Sequence, residues 1–93
     1  MRTAELKVKG GKLIRIRLLT KNKRIEKVEI TGDFFLHPEE TIDILEMALR
    51  GQMLDADLGK SISNILKENG ALLLGASPED IAKCIEIASD SID

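Results

Sequence analysis

The sequence predicts an α+β fold in which a three-stranded antiparallel sheet is followed by three helices that pack on one of its faces. Two observations lead to this prediction. Apolar residues recur with a period of two before residue 32 and with a period near 3.6 after residue 37. In addition, the 93 residues contain no internal repeat or linker, and 43% are apolar and 32% charged, which is typical of one globular domain over 1–93.

Three strands are predicted at about 4–9, 13–20 and 25–31, where apolar and charged residues alternate. Gly10-Gly11 predicts a three-residue loop between the first two strands, and a Lys-Asn-Lys turn at 21–23 joins the next two. Gathering the apolar side chains on one face sets the register and leaves the other face basic. The resulting pairs are Val8 with Ile14, Leu6 with Ile16, Ile16 with Ile30, Leu18 with Val28, and Arg17 with Glu29.

Three helices are predicted at about 38–50, 57–69 and 78–91. Pro38 is expected at the first position of the first helix. The third helix should begin after Ser77, which is followed by a proline and two acidic residues. Residues 71–74 are too few for a helix and are expected to run extended against the core. The predicted buried stripes are Ile42, Leu45, Ala48 and Leu49; Leu58, Ile62, Ile65 and Leu66; and Ile81, Ile85, Ala88 and Ile92.

Charge divides the chain into two unlike parts. Residues 1–31 hold ten Lys or Arg and three Glu, whereas residues 32–93 hold four Lys or Arg and thirteen Asp or Glu. A basic sheet and acidic helices would orient the molecule toward its partners. The only cysteine, Cys84, cannot form an internal disulfide, and there is no apolar signal or membrane segment, so a cytoplasmic location is expected.

The sequence shows no set of residues that would form a catalytic site by itself. His37 adjoins a predicted helix start and has no evident partner, so a capping or solvated role is favoured over that of a general base. Cys84 lies on an apolar helical stripe, which is typical of an inert buried thiol. The acidic residues Glu39, Glu40, Asp43 and Glu46 are interpreted as a solvated helix face rather than a metal site. We therefore assign no catalytic residue and no metal ligand.

Two surfaces of the predicted sheet could bind partners. Its basic face, with Lys7, Lys9, Arg15, Arg17 and Lys27, could attract nucleic acid, but it has no aromatic residue on which a base could stack, so nucleic acid is not favoured. The predicted register places an apolar strip among these charges, and this strip is either ordinary exposed surface or a docking face. The residues of that possible docking face are Leu13, Arg15, Arg17, Leu19 and Ile25.

The strand-to-helix junction is the most informative stretch of the chain. It consists of Gly32, Asp33, Phe34, Phe35 and Leu36, and it holds both phenylalanines of a protein that has no Tyr or Trp. Neighbouring residues of an extended chain point to opposite sides, so one phenylalanine is expected to pack under the first helix and the other to contact a partner. Asp33 is expected to cap a turn or the helix start.

Three segments carry a resemblance to a known family. They are GKLIRI at 11–16, VEITGDFF at 28–35, and a helical stretch over 38–51 that begins PEE and ends LRG. They resemble the small accessory domain of lipoate–protein ligases, which is the C-terminal part of many bacterial ligases and a separate, B-type subunit in some archaea. The likeness extends in layout over nearly the whole chain and implies a fold similar to iron–sulfur scaffold proteins of the SufE/IscU type.

The resemblance implies a non-catalytic subunit of a two-component ligase. The family joins lipoate to a lysine of acyl-carrier domains through lipoyl-AMP, and its catalytic lysine and Gly-rich loop belong to the large domain. ATP, Mg and lipoate are then expected at the large subunit's site, with none bound by this chain alone, and the lipoyl-acceptor carrier domain would be met indirectly. Two alternatives stay open, a sulfur-transfer or iron–sulfur scaffold protein and a basic nucleic-acid-binding module.

Overall fold

An antiparallel sheet and three helices make up most of the chain. The structure is a computed structural model that describes residues 1–91. The sheet has the order β1-β2-β3, with β1 at Arg2–Lys7, β2 at Leu13–Lys21 and β3 at Arg24–Gly32. The helices are α1 at Thr41–Leu49, α2 at Leu58–Glu68 and α3 at Pro78–Asp90. The predicted fold class is therefore confirmed.

The register of the first hairpin differs from the predicted one by two residues. Leu6 lies opposite Ile14 and Ala4 lies opposite Ile16. The predicted pairs Val8–Ile14 and Leu6–Ile16 are therefore wrong, and the loop has five residues instead of three. A slip of two residues keeps every side chain on its own face, so the apolar alternation does not discriminate between the two registers.

The second hairpin has the predicted register over most of its length and then a β-bulge. Ile16 pairs with Ile30, Leu18 with Val28, and Arg17 with Glu29, as predicted. Leu19 of β2 pairs with Lys27, but the next residue, Thr20, pairs with Ile25, so β3 has one extra residue at this point. The side chains of β3 on either side of the extra residue therefore alternate in opposite phase. As a result Ile25 turns toward the helices and is only 1% exposed. Its predicted place on the basic face is therefore wrong.

Helix α1 begins three residues later than predicted. Pro38 lies in a turn after a short strand, and its carbonyl accepts a hydrogen bond from the Thr41 N–H at 3.0 Å. The N-cap residue is Glu40, so neither Pro38 as first helical residue nor Asp33 as helix cap is correct. Leu45 and Leu49 are fully buried. Ala48, which was predicted to be buried, is exposed.

The core is an aliphatic layer between one sheet face and the helices. α3 lies over β1 and β2, α1 lies over β3, and α2 packs against the other two helices. Ser77 caps α3 as predicted, because its side chain accepts from the Asp80 N–H while Asp80 accepts from the Ser77 N–H. Ile92, predicted to extend the α3 stripe, lies outside the described residues. The largest side chains with less than 2% exposure are Ile14, Ile16, Leu18, Ile25, Leu45, Leu49, Ile62, Ile81, Ile85 and Cys84.

A two-stranded ribbon completes the fold. β4 (Phe35–His37) pairs antiparallel with β5 (Leu72–Leu74), so the expected extended conformation of 71–74 is confirmed. The inner side chains of the ribbon are Leu36, which is buried, and Leu73, which is half-buried against the core. The ribbon thus attaches the segment before α1 to the segment before α3.

Glu46 of α1 satisfies a backbone group on the outer edge of β3. One of its carboxylate oxygens accepts a hydrogen bond from the Ile30 N–H at 2.7 Å. Burial raises the pKa of Glu46, and the nearby carboxylates of Asp43 and Glu29 raise it further, whereas the Ile30 bond and Lys27 oppose this. The anionic form of Glu46 is therefore less favourable in the folded protein than in the unfolded chain.

The raised pKa of Glu46 predicts a pH-dependent difference between the native protein and Glu46→Gln. The contribution of Glu46 to the free energy of unfolding is largest below the pKa that Glu46 has in the unfolded chain. It is lost as pH rises through the higher pKa that Glu46 has in the folded protein. Glutamine keeps the acceptor oxygen for Ile30 without the charge, so Glu46→Gln should gain stability relative to the native protein as pH rises above 4.5, the ordinary pKa of glutamate, and through the higher pKa of the folded protein. Urea unfolding followed by circular dichroism measures this gap. A gap that is constant with pH would contradict the prediction, and Glu46→Ala, which lacks the acceptor, should be less stable than Glu46→Gln throughout.

Candidate functional site

Gly32 ends β3 at a place where no side chain fits. A Cβ atom on this residue would lie 2.2 Å from the carbonyl oxygen of Leu13. That oxygen accepts a hydrogen bond from the Asp33 N–H at 2.9 Å, so the β2 and β3 backbones are held together just where the chain leaves the sheet. The glycine of the junction is therefore required by a close backbone approach.

The two phenylalanines of the junction have different surroundings, as their sequence positions predict. Phe34 is half-buried and packs against the core. Phe35 is 52% exposed, and its ring stacks on that of His37 with centroids 6.2 Å apart and an interplanar angle of 4°. Phe35 is thus the aromatic side chain that is free to contact a partner.

Phe35 belongs to an exposed strip on the outer face of the β4–β5 ribbon. Phe35 lies directly opposite Leu74, and His37 lies opposite Leu72. These residues share the outward face because Leu36 and Leu73, between them, turn inward. Leu72 and Leu74 are 51% and 52% exposed, like Phe35. We call these four residues, Phe35, His37, Leu72 and Leu74, the ribbon strip.

Sequence reasoning did not find the leucines of the ribbon strip. The segment 71–74 is expected to run extended against the core, but of its three leucines only Leu73 points inward. The strand period of two shows that three consecutive leucines cannot all face inward, but it does not say which of them face outward. Pairing with β4, more than 30 residues earlier, is what brings them beside Phe35.

A groove adjoins the ribbon strip between β3, β4 and α1. Its volume is about 360 Å³, and its walls include Phe34, Phe35, Leu36 and Ile42. Glu39 also lines it and is exposed, as is Asp33 in the same junction. The side-chain stem of Lys12 lies near Gly75, next to the Phe35–Leu74 end of the strip. The groove is therefore apolar with a carboxylate at its border.

The open face of the sheet is less suited to docking than the sequence suggests. Arg15 pairs with Glu5 at 2.6 Å, and Arg17 pairs with Glu29 at 3.7 Å, so two of its cations have carboxylate partners. Leu13 is half-buried and Leu19 is 39% exposed. Because Ile25 lies in the core, only Leu19 and the half-buried Leu13 remain of the predicted apolar strip. The arrangement fits an ordinary solvated surface.

Cys84 is buried in the core as its helical stripe predicts. Its side chain is fully buried, and its Sγ lies 3.7 Å from the Ala4 carbonyl and 3.8 Å from the Ile14 carbonyl. Burial raises the pKa of Cys84 to about 11, with a smaller contribution from Glu5. Such a thiol is a poor nucleophile at neutral pH, which opposes the sulfur-transfer alternative.

Other candidate groups are dispersed. Glu39 and Glu40 precede α1, whereas Asp43 and Glu46 lie on it, and no group of three or more His, Cys, Asp or Glu within residues 1–91 could hold a metal ion. His37 is exposed in β4 and contacts Phe35. Among the same described residues, no helix is long and apolar enough to cross a membrane.

Comparison with known proteins identifies the family. The family described as bacterial lipoate protein ligase C-terminus matches residues 3–85. The chain belongs to this lipoate–protein ligase C-terminal family. The predicted family relationship is therefore confirmed, and the matched segment contains the junction, the ribbon strip and all three helices at least in part.

Both further comparisons match proteins of the archaeon Thermoplasma acidophilum. Its lipoate-protein ligase A subunit 2 is 34% identical over 84 residues, which cover 87% of this chain and 83% of that protein. A solved structure from the same organism, of a bi-partite lipoate protein ligase and its E2 lipoyl domain, contains a chain that matches with a TM-score of 0.71 and 32% identity. The match covers 91% of this chain and 94% of that chain.

Gly32→Ala is predicted to destabilise this lipoate–protein ligase domain. The new methyl group would collide with the Leu13 carbonyl, and the required backbone shift should cost about 1–3 kcal/mol. Gly59→Ala in α2 is the matched control, because its Cβ would meet no neighbour closer than 3.6 Å and alanine favours a helix by about 0.5–1 kcal/mol. Urea unfolding followed by circular dichroism compares them. Equal stability of the two variants would disprove the steric argument.

Cys84 is predicted to react slowly while the protein is folded. A pKa raised from 9.0 to about 11 lowers the thiolate fraction about 100-fold near pH 7.5, and burial restricts access as well. Mass spectrometry after iodoacetamide treatment should show little alkylation of the native protein and rapid alkylation in denaturant. Rapid alkylation of the native protein would instead favour the sulfur-transfer alternative.

Proposed function

We propose that this chain is the accessory subunit of a two-component lipoate–protein ligase. The observation that carries this proposal is a match from chain to chain: this protein spans 94% of a chain from a bi-partite ligase and 83% of a relative named as subunit 2. The relatives support a subunit role by their descriptions, because one is named as subunit 2 of a ligase and the other comes from a ligase described as bi-partite.

Catalysis is assigned to the large subunit in this proposal. ATP, Mg and lipoate bind there, the lipoate carboxylate is converted to lipoyl-AMP with release of pyrophosphate, and a lysine of the lipoyl-acceptor carrier domain then displaces AMP. The inert thiol of Cys84 and the exposed position of His37 support a role for this chain without a nucleophile of its own. The carrier domain interacts with this chain only indirectly, and the complex operates in the cytoplasm.

The contribution of this chain is positional. Its small aliphatic core supports an exposed apolar strip, which suits a body that docks against another protein. Docking completes or covers the adenylate-forming site, excludes water from it and stabilises its closed geometry. An accessory subunit of this kind raises the rate of lipoate activation through the geometry of the site and supplies no reacting group.

Reconstitution with the matching large subunit tests the proposed function. Formation of lipoyl-AMP, measured by mass spectrometry or by pyrophosphate release, should be low with either subunit alone and rise at least tenfold when both are present, roughly the gain expected from closing a site. The dependence on this chain should be weaker when preformed lipoyl-AMP is supplied, because the proposed role lies in activation.

Two outcomes contradict the proposed function. One is full formation of lipoyl-AMP by the large subunit alone, which would leave this chain without a role in activation. The other is turnover by this chain alone, which would show that it holds reactive groups of its own. Glu46→Gln, whose substitution lies on α1 and keeps the Ile30 hydrogen bond, serves as a folded variant that should support activation as the native chain does.

A further inference from the structure

We propose that the ribbon strip and the groove beside it are the surface on which the large subunit docks. This inference rests on the proposed function and extends it by naming the contact residues and the chemistry of the partner surface. An apolar side chain of the large subunit enters the groove, and a neighbouring lysine or arginine of that subunit faces Glu39. The open face of the sheet, with its paired charges, is left in solvent.

Exposure of the ribbon strip has no explanation within the fold. The chain has two aromatic residues other than histidine, and one of them, Phe35, is left 52% exposed. Two half-exposed leucines, Leu72 and Leu74, lie on the same outward face. A contiguous, mainly apolar surface that includes an aromatic residue is the usual composition of an interface core.

The ribbon also holds these side chains in place before any partner binds. Leu36 is buried and Leu73 half-buried, so the inner face of the ribbon is anchored in the core. Phe35 is held further by its stack on His37. Side chains that are already positioned lose less conformational entropy on association, which favours binding.

The carboxylate at the groove defines the partner's charge. Glu39 is exposed and lines the groove together with Phe35 and Ile42. A partner that buried this border without a cation would leave Glu39 desolvated and unpaired, which is costly. The complementary surface is therefore apolar with a lysine or arginine beside it.

A second copy of this chain fits the surface less well. In a symmetric dimer each patch meets itself, and neither the strip nor the groove lining contains a lysine or arginine that could pair with Glu39 of the other copy. Four side chains also provide only a small part of the roughly 1,200–2,000 Å² that stable interfaces bury. A larger partner with a complementary surface supplies the remaining contacts.

Binding affinity for the large subunit tests the inference directly. Calorimetry should show that Phe35→Ala raises Kd at least about 30-fold, as loss of a central aromatic contact does, and that Leu74→Ala raises it about tenfold. The controls are Met47→Ser on α1, at 71% exposure, and Leu19→Ser on the open sheet face, at 39% exposure. These exposed apolar residues lie outside the strip, and their substitution should change Kd by less than about threefold.

Salt dependence tests the predicted charge of the partner. Glu39→Gln should weaken binding and make Kd less sensitive to ionic strength, because one interfacial ion pair is lost. Glu86→Gln on α3, outside the groove, should leave both quantities as they are in the native protein. Circular dichroism of each variant confirms folding; should Phe35→Ala unfold, Leu72→Ser on the same exposed face takes its place.

The outcomes separate this inference from the proposed function. Failure of the native chain to bind the large subunit or to promote lipoyl-AMP formation refutes the proposed function itself. Normal binding by the strip variants, or weaker binding by Met47→Ser or Leu19→Ser alone, overturns the docking surface while the subunit role stands. A native dimer that Phe35→Ala dissociates would assign the strip to a second copy and also overturn the proposal.

Discussion

Burial of a single face of the sheet is the constraint on which the rest of the structure depends. Ile14, Ile16 and Leu18 on the central strand have no exposure, and each such side chain contributes about 1.5–3 kcal/mol when removed from water. A chain of 93 residues with two phenylalanines has no second core to build, so α1 and α3 cover this face and α2 joins the same core by packing against them. Cys84 lies in that core, where the thiol serves packing instead of chemistry.

The architecture could be predicted from the change in hydrophobic period, but the details of pairing could not. The alternation of apolar residues specifies which side chains share a face of the sheet. A slip of two residues in the first hairpin leaves every side chain on the same face, so the register depends on the conformation of the loop. The bulge near Leu19 is different, since it reverses the alternation and moves Ile25 into the core without any Gly or Pro to mark it. At α1, the strand that precedes Pro38 delays the helix, although the proline itself is compatible with a helix start.

The candidate site was predictable in part for a similar reason. The aromatic pair stands out in a chain otherwise lacking large rings, and its division between Phe34 and Phe35 follows from an extended backbone. Leu72 and Leu74 join Phe35 only through a ladder between segments more than 30 residues apart. A strand of three residues is too short to show a periodic pattern in the sequence. The distant segment with which it pairs can be identified only in the folded structure.

The shortness of the β4–β5 ladder has a consequence for how its outer face behaves over time. Three residue pairs are a small cooperative unit, and such units open locally at a lower free energy than the main sheet does. Whenever the ladder opens, Phe35 and Leu74 separate and the surface that they form is lost. The apparent affinity of any ligand for that surface is therefore scaled by the closed fraction, and a ligand that binds only the closed form protects the ladder amides from hydrogen exchange.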